Sequence, residues 1–167
     1  MEGGEGEVRE KKLYREYRLK SYLNMNHYII INGKQGQTHP HTWEFVITII
    51  VSGDAFVEFR IFEDLIENYL DKYQNQVLNT IEPFDAINPT IENVTDHFND
   101  ELQGMLRENG GELVSLEGSE TPTRSYIVSH RNEEEFMERI GKIQSQQISG
   151  IVNYVVDQIV EGNGGQW

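Results

Sequence analysis

The chain has 167 residues, a formal net charge of −14 and no cysteine. This length suits a single domain that buries roughly 70% of the surface of its unfolded chain, and no apolar run approaches the ~20 residues that a membrane span requires. The absence of cysteine excludes disulfides, thiolate metal sites and cysteine nucleophiles and fits a cytoplasmic location, while the acidic balance argues against a nucleic-acid partner.

The first part of the chain predicts a tail followed by two strands. Residues 1–12, MEGGEGEVREKK, are rich in glycine and charge, which is typical of a disordered tail. Leu23, Met25 and His27 then lie at every second position, and so do the large apolar residues Trp43, Phe45, Ile47, Ile49 and Val51. This period of two predicts strands separated by a turn at positions 33–36, with a second turn at VSGDAF.

Two helices are predicted in the middle of the chain. Apolar residues at helical spacing predict the first from about Ile61 to Gln76. The second is expected to begin with Asn88 as its N-cap and Pro89 at its first position, where the missing N–H costs nothing. Its predicted end is the sequence Asn-Gly-Gly at positions 109–111.

The last part of the chain predicts two short strands, ELVSLEG and TRSYIVS, and then an amphipathic helical segment from about Glu133 to Val160. The order of strands and helices predicts an α+β domain with an antiparallel sheet at residues 13–130. The appended helical segment is predicted at residues 131–161 and a second tail at residues 162–167.

Three of the five histidines lie close together in the sequence. His39 and His41 are separated by one residue, so both side chains lie on the same side of an extended strand, and a hairpin would bring His27 beside them. Three imidazoles can hold Zn²⁺ and leave a fourth position open for water or substrate. The alternative is that two exposed strand histidines have no role. We predict that His97 lies on a helix surface and His130 in a loop.

Five short motifs resemble one family in order and spacing. The chain is similar to the 6-pyruvoyl-tetrahydropterin synthase and 6-carboxy-tetrahydropterin synthase family over residues 17–129. The motifs are Leu23-x-Met25-x-His27, His39-Pro40-His41, Val57-Glu58-Phe59, VLNTIEPFDAINPTIEN and Glu120-Thr121-Pro122-Thr123.

The resemblance implies a fold, an assembly and a set of site residues. The fold is the tunnelling fold, a ββααββ subunit that forms a homotrimer or homohexamer with sites between subunits. The family's zinc ligands match His27, His39 and His41. The residues that bind the pterin match Glu120, whose carboxylate can bridge adjacent N–H donors, and Thr90.

The chain departs from the family pattern at the groups that move protons. Gln35 stands where the usual enzyme has its catalytic cysteine, and Gln74 and Asn75 stand where it has an Asp-His pair. Pro40 replaces the glycine between the paired ligands and indicates an edge or bulged strand. Glutamine and asparagine do not titrate, and losing general acid–base help typically costs ~10²–10⁴-fold in rate. Glu44, Glu63 or a water activated by the metal are the remaining candidates for the base.

Three hypotheses follow from these residues. The first is a zinc-dependent lyase that acts on a reduced pterin or on dihydroneopterin triphosphate by a non-standard proton route. The second is a non-catalytic, zinc-containing module that binds a pterin or a purine-like ligand and has lost the proton shuttle. The third is a scaffold whose helix at 133–160 contacts another protein.

Overall fold

The computed structural model describes residues 15–51 and 58–145. Strands and helices follow in the order β1 (Tyr17–His27), β2 (Ile30–Ile31), β3 (Lys34–Gln35), β4 (His39–Val51), α1 (Phe59–Asp71), α2 (Ile91–Glu108), β5 (Gly111–Thr121), β6 (Arg124–Ser129) and α3 (134–145). The predicted α+β order with an appended helix is confirmed. The predicted tails, most of the VSGDAF turn and the appended segment beyond residue 145 lie outside the described residues.

The four long strands form one antiparallel sheet in the order β1-β4-β5-β6. β2 and β3 form a small hairpin in the connection between β1 and β4, and its turn uses positive φ at Asn32 (51°) and Gly33 (74°). The register of β1 with β4 places His27 opposite His39 and Met25 opposite His41. The connection therefore returns the chain so that the paired histidines lie beside the end of β1.

One face of the sheet packs against α1 and α2. Because successive strand residues point to opposite faces, the alternation in β1 and β4 sends one set of side chains into this core. Leu23, Trp43 and Phe45 contribute from the strands, with Phe62 and Phe98 from the helices, and all are buried.

Helix α3 covers part of the opposite face of the sheet. Ile50, which follows the core residue Ile49, packs with Val114 of β5 and with Phe136 and Ile140 of α3. Val114 is the extra residue in β5 where the pairing with β4 shifts between Thr48 and Ile49. The sheet thus has a second, smaller apolar layer, because a register shift turns one more apolar side chain toward α3.

The helix boundaries differ from the sequence prediction. Helix α1 ends at Asp71 rather than at Gln76, because residues 74–77 bond to the outer edge of β1 instead. Helix α2 begins at Ile91, and its N-cap is Thr90, whose side chain accepts the N–H of Asn93 at 3.3 Å. The predicted N-cap, Asn88, bonds to Ile30.

The outer edge of β1 is occupied next to the histidine end. The side-chain amide of Gln74 accepts the N–H of Asn24 at 2.6 Å and donates to the carbonyl of Tyr22 at 3.0 Å. The N–H of Asn75 donates to the carbonyl of Asn24 at 2.6 Å, and the φ of Asn75 is 60°. Asparagine adopts this left-handed conformation more readily than most residues.

Pro40 lies where β4 has one strand neighbour. It is opposite Asn26 of β1, whereas the pairing of β4 with β5 begins only at Glu44. The edge position that its missing N–H indicates is therefore present at this end of the strand.

None of the helices in the described ranges is long and apolar enough to cross a membrane.

Candidate metal centre

The three histidines predicted as ligands converge at one end of the sheet. The ring centroids of His27 and His39 lie 4.7 Å apart, those of His27 and His41 5.0 Å, and those of His39 and His41 4.7 Å. One nitrogen from each ring can be chosen so that all three lie within 4.8 Å of one another. Burial falls from His27, which is 3% exposed, through His41 to the exposed His39.

Two of the rings are oriented by backbone carbonyls. The Nδ1 of His27 lies 2.7 Å from the carbonyl oxygen of Pro89, and the Nδ1 of His39 lies 2.8 Å from that of Gln37. A carbonyl can only accept a hydrogen bond, so Nδ1 carries the proton in both neutral rings. The Nε2 atoms then keep their lone pairs, which is the tautomer that metal-binding histidines usually adopt.

The nitrogens that face the cluster lack protein partners. The Nε2 atoms of His27 and His41 are buried and make no hydrogen bond. Buried polar atoms are almost always satisfied in folded proteins, so two such atoms side by side fit a site that binds a ligand. Burial lowers the pKa of both rings; His41 and His39 lower the pKa of His27 further, and His39 does so for His41. A lowered pKa favours the neutral form of both rings, which is the form that binds a cation.

Glu120 lies next to this cluster. Its Oε1 is 3.1 Å from Nε2 of His41, and its Oε2 is 3.4 Å from the guanidinium of Arg124. The contact with His41 is not aligned as a hydrogen bond, although the carboxylate does oppose the lowering of the His41 pKa. A lone pair and a carboxylate oxygen at this distance repel each other unless a proton or a cation lies near them. The donor set therefore fits a divalent cation such as Zn²⁺.

Thr90 is joined to the cluster through the chain. It follows Pro89, whose carbonyl orients His27, and its hydroxyl oxygen caps α2. The residue is half-buried. Its hydroxyl hydrogen is not used by the cap, so it can still be donated to a ligand.

The positions that replace the family's proton-moving groups do not place an acid or base at the histidines. Gln35 is exposed in the β2–β3 hairpin, and Gln74 is bonded to β1 by both ends of its amide. Glu44 points to the other face of the sheet, where Tyr22 and Lys20 hydrogen-bond to it and lower its pKa. Glu63 is on the exposed side of α1. Neither glutamate is therefore positioned as a base in this subunit.

Two further histidines are more buried than predicted. His97 is half-buried, with its ring 5.4 Å from that of Phe84 and its Nε2 3.2 Å from the hydroxyl of Tyr73. His130 does lie in a connection, but it is only 5% exposed and hydrogen-bonds to Glu133 and Asn99. The predicted loop position of His130 is therefore confirmed, whereas the burial of both rings depends on partners in other elements, Tyr73 for His97 and Asn99 for His130.

One residue of the site was not singled out from the sequence. Trp43 is fully buried, with its ring 5.2 Å from that of His27 and 6.0 Å from that of His41, and its indole N–H has no hydrogen-bond partner. Its position two residues after His41 on the same strand face could have identified it.

Comparisons with known proteins agree on one fold. The model of the family described as 6-pyruvoyl tetrahydropterin synthase matches residues 16–131. The structure of Caenorhabditis elegans 6-pyruvoyl tetrahydropterin synthase is similar with a TM-score of 0.59 and 14% identity, covering 70% of this chain and 96% of that chain. A catalytic-residue mutant of the Plasmodium vivax enzyme is similar with a TM-score of 0.51 and 15% identity, covering 70% of this chain and 98% of that chain.

A comparison with curated proteins finds no match. The likeness to solved structures at this level of identity establishes the fold, and the match of the family model extends over more than half of the chain. The chain therefore belongs to the 6-pyruvoyl tetrahydropterin synthase family.

Proposed function

We propose that this protein is a zinc-dependent, tetrahydropterin synthase-like lyase that acts on a reduced pterin or on dihydroneopterin triphosphate. The observation that carries the proposal is the convergence of His27, His39 and His41, two of them with buried Nε2 atoms that lack partners. A protein that needed the three rings only for packing would have no reason to leave those lone pairs unsatisfied.

His27, His39 and His41 would hold the zinc ion. Within the described residues this group contains three ligands, which leaves a coordination position for the substrate, as in catalytic zinc sites. When bound, zinc supplies Lewis-acid polarisation of a hydroxyl or carbonyl oxygen on the substrate's side chain. The carbonyls of Pro89 and Gln37 orient the rings of His27 and His39, two of the residues that would hold the zinc ion.

Glu120 would bind the heterocycle beside the zinc ligands. A pterin presents adjacent N–H donors along one edge, and a carboxylate offers two acceptor oxygens to them. The contact of Glu120 with His41 supports this role, because a pterin held by the carboxylate would lie next to the metal centre. Thr90, after the carbonyl that orients His27, would supply a hydroxyl to the same ligand.

The proton route of this lyase would be non-standard. The side chains at positions 35, 74 and 75 do not titrate, and Glu44 and Glu63 are directed away from the histidines. In the described part of one subunit, Glu120 is the carboxylate that contacts the zinc ligands. A second copy of the chain could supply a further group, because sites of this family lie between subunits.

One observation favours a second candidate function, a zinc-containing module that binds a pterin or a purine-like ligand without catalysis. Gln74 stands at the position of a catalytic acid in the family, and both ends of its side-chain amide are hydrogen-bonded to the backbone of β1. A residue with this structural role is expected in a protein that has kept the ligand site and lost the proton shuttle.

The sheet edges support assembly into a homotrimer or homohexamer. No described strand pairs with the outer edge of β6, or with the outer edge of β1 over residues 17–21. These two edge strands run antiparallel to each other, so β6 of one copy can pair with β1 of the next and continue the pattern. A cytoplasmic location and the absence of a nucleic-acid partner remain predictions from composition.

Metal analysis followed by a turnover assay tests the proposal. The purified chain should contain zinc, and incubation with dihydroneopterin triphosphate or another reduced pterin should yield a product whose side chain is altered. His41→Ala should abolish both zinc content and product. Glu120→Gln should weaken pterin binding at unchanged zinc content. Zinc content with pterin binding and no turnover would establish the binding module, and a protein without zinc would overturn both functions.

A further inference from the structure

Two asparagines of the connection between α1 and α2 hold the chain just after His27. The side chain of Asn79 accepts the N–H of Tyr28 and donates to its carbonyl, both at 2.9 Å. The side chain of Asn88 makes the same pair of bonds with Ile30, both at 2.8 Å. Each amide thus satisfies both backbone groups of one residue, as a neighbouring strand would do.

Asn88 differs from Asn79 in what its own backbone holds. Its carbonyl accepts the N–H of Thr90 and the side-chain amide of Asn93, both at 2.8 Å. The next residue is Pro89, whose carbonyl accepts the Nδ1 proton of His27. Asn88 therefore links the chain after His27 to the start of α2. Pro89, whose carbonyl orients His27, lies between Asn88 and Thr90 in the chain.

The bonds around Asn79 do not reach the carbonyl that orients His27. Asn79 lies in a short 3-10 turn at Leu78–Thr80, where the N–H of Thr80 donates to the carbonyl of Val77 at 3.0 Å. Its side-chain amide makes two hydrogen bonds to the backbone of Tyr28, as that of Asn88 does to Ile30. However, the peptide that follows it makes no contact with a zinc ligand among the bonds of the described residues.

We infer that Asn88 is a positioning residue of the metal centre, whereas Asn79 holds the chain after His27 without fixing the carbonyl that orients the ring. By tying Ile30 to the start of α2, Asn88 keeps the Pro89 carbonyl against Nδ1 of His27. This contact fixes the tautomer and the ring orientation in which Nε2 faces the ion. The inference rests on the proposed zinc site, and groups that orient a metal ligand typically contribute 10–100-fold to metal affinity.

Asn79→Ala and Asn88→Ala in the full chain form a matched pair. Each removes two hydrogen bonds to the backbone, so both should lower the melting temperature of the zinc-free protein to a similar extent. Zinc affinity is measured by competition with a chromophoric chelator at a temperature where both variants are folded. We expect Asn88→Ala to weaken zinc binding by at least about 10-fold and Asn79→Ala to leave it within about 2-fold of the unaltered chain.

The Co²⁺-substituted protein provides a second readout. Its visible spectrum reports the ligand geometry, so it should change in Asn88→Ala and stay the same in Asn79→Ala. If Asn88→Ala does not fold, Asn88→Ser keeps one polar atom near Ile30 and should show a smaller loss in the same direction. Equal zinc affinity for the two alanine variants would overturn the inference while leaving the zinc site intact. An unaltered chain that binds no zinc would overturn the proposed function itself.

Discussion

Gly118 permits the close packing of β5 against the first turns of α2, and Gly118→Ala tests how tight that packing is. A Cβ added at this position would lie 2.2 Å from Oγ1 of Thr95 and 3.1 Å from atoms of Ile91 and Phe45. Thr95 is fully buried, and its hydroxyl donates to the carbonyl of Ile91 at 2.6 Å. The threonine must therefore rotate and lose this bond, or α2 must move away from the sheet.

Either response carries a cost that can be estimated. Losing a buried hydrogen bond costs about 0.5–1.5 kcal/mol, and overpacking a well-packed core costs about 1–3 kcal/mol. We therefore expect Gly118→Ala to lower the free energy of unfolding by about 1–3 kcal/mol. In a chain of this length each kcal/mol lowers the melting temperature by about 2–4 °C, so the expected decrease is roughly 2–12 °C.

Gly104 provides a control with the same chemical change. It is exposed within α2, and nothing lies within 4 Å of an added Cβ. Gly104→Ala should therefore raise the free energy of unfolding by about 0.5–1 kcal/mol, because alanine favours the helix. Urea denaturation of the two variants measures both effects. A Gly118→Ala variant as stable as the unaltered chain would refute the close approach of α2 to β5.

Three further predictions concern the buried polar groups. Trp167→Phe leaves Trp43 as the one tryptophan of the chain, and in this variant Co²⁺ should quench its fluorescence. Metal uptake with unchanged emission would contradict the position of the Trp43 ring beside the histidines. Burial lowers the pKa of His97 below 6.5, so the unfolded chain binds more protons at this residue than the folded chain does. The free energy of unfolding that His97 contributes therefore falls as pH drops through that value. His97→Gln should therefore flatten the dependence of unfolding free energy on pH between 7.5 and 5, and an unchanged slope would contradict this. Arg139→Met should lower the free energy of unfolding by about 1.5–3 kcal/mol, because it removes the 3.1 Å hydrogen bond that Arg139 donates to Glu112, which is 7% exposed. A loss under about 0.5 kcal/mol in denaturant unfolding would show that the pair behaves like an exposed one.

Local patterns predicted the features that depend on short spacing. The alternation in β1 and β4 fixed which side chains share a sheet face, so the grouping of His39 with His41 followed from one intervening residue. The register confirmed that His27 lies beside them. The α+β order and the approximate helix positions were also predictable, because helical and strand periods differ.

The ends of the helices were less predictable. Asn88 followed by proline resembles an N-cap, yet Asn88 bonds to Ile30, 58 positions earlier in the chain, and Thr90 caps the helix. Gln74 and Asn75 continue a helical pattern in sequence, but they bond to β1. In each case a partner distant in sequence satisfied the polar group better than the local helix did.

The sequence by itself determined which chemical groups the protein has: two imidazoles on one strand face, a third in the preceding strand, and no cysteine. These properties follow from residue identity and from a side-chain period of two, which are local. Only the tertiary structure decided that the Pro89 carbonyl orients His27, that Glu44 faces away from the site and that α3 covers the second face of the sheet. Those outcomes depend on contacts between residues far apart in the chain, which form because buried polar and apolar groups must find partners.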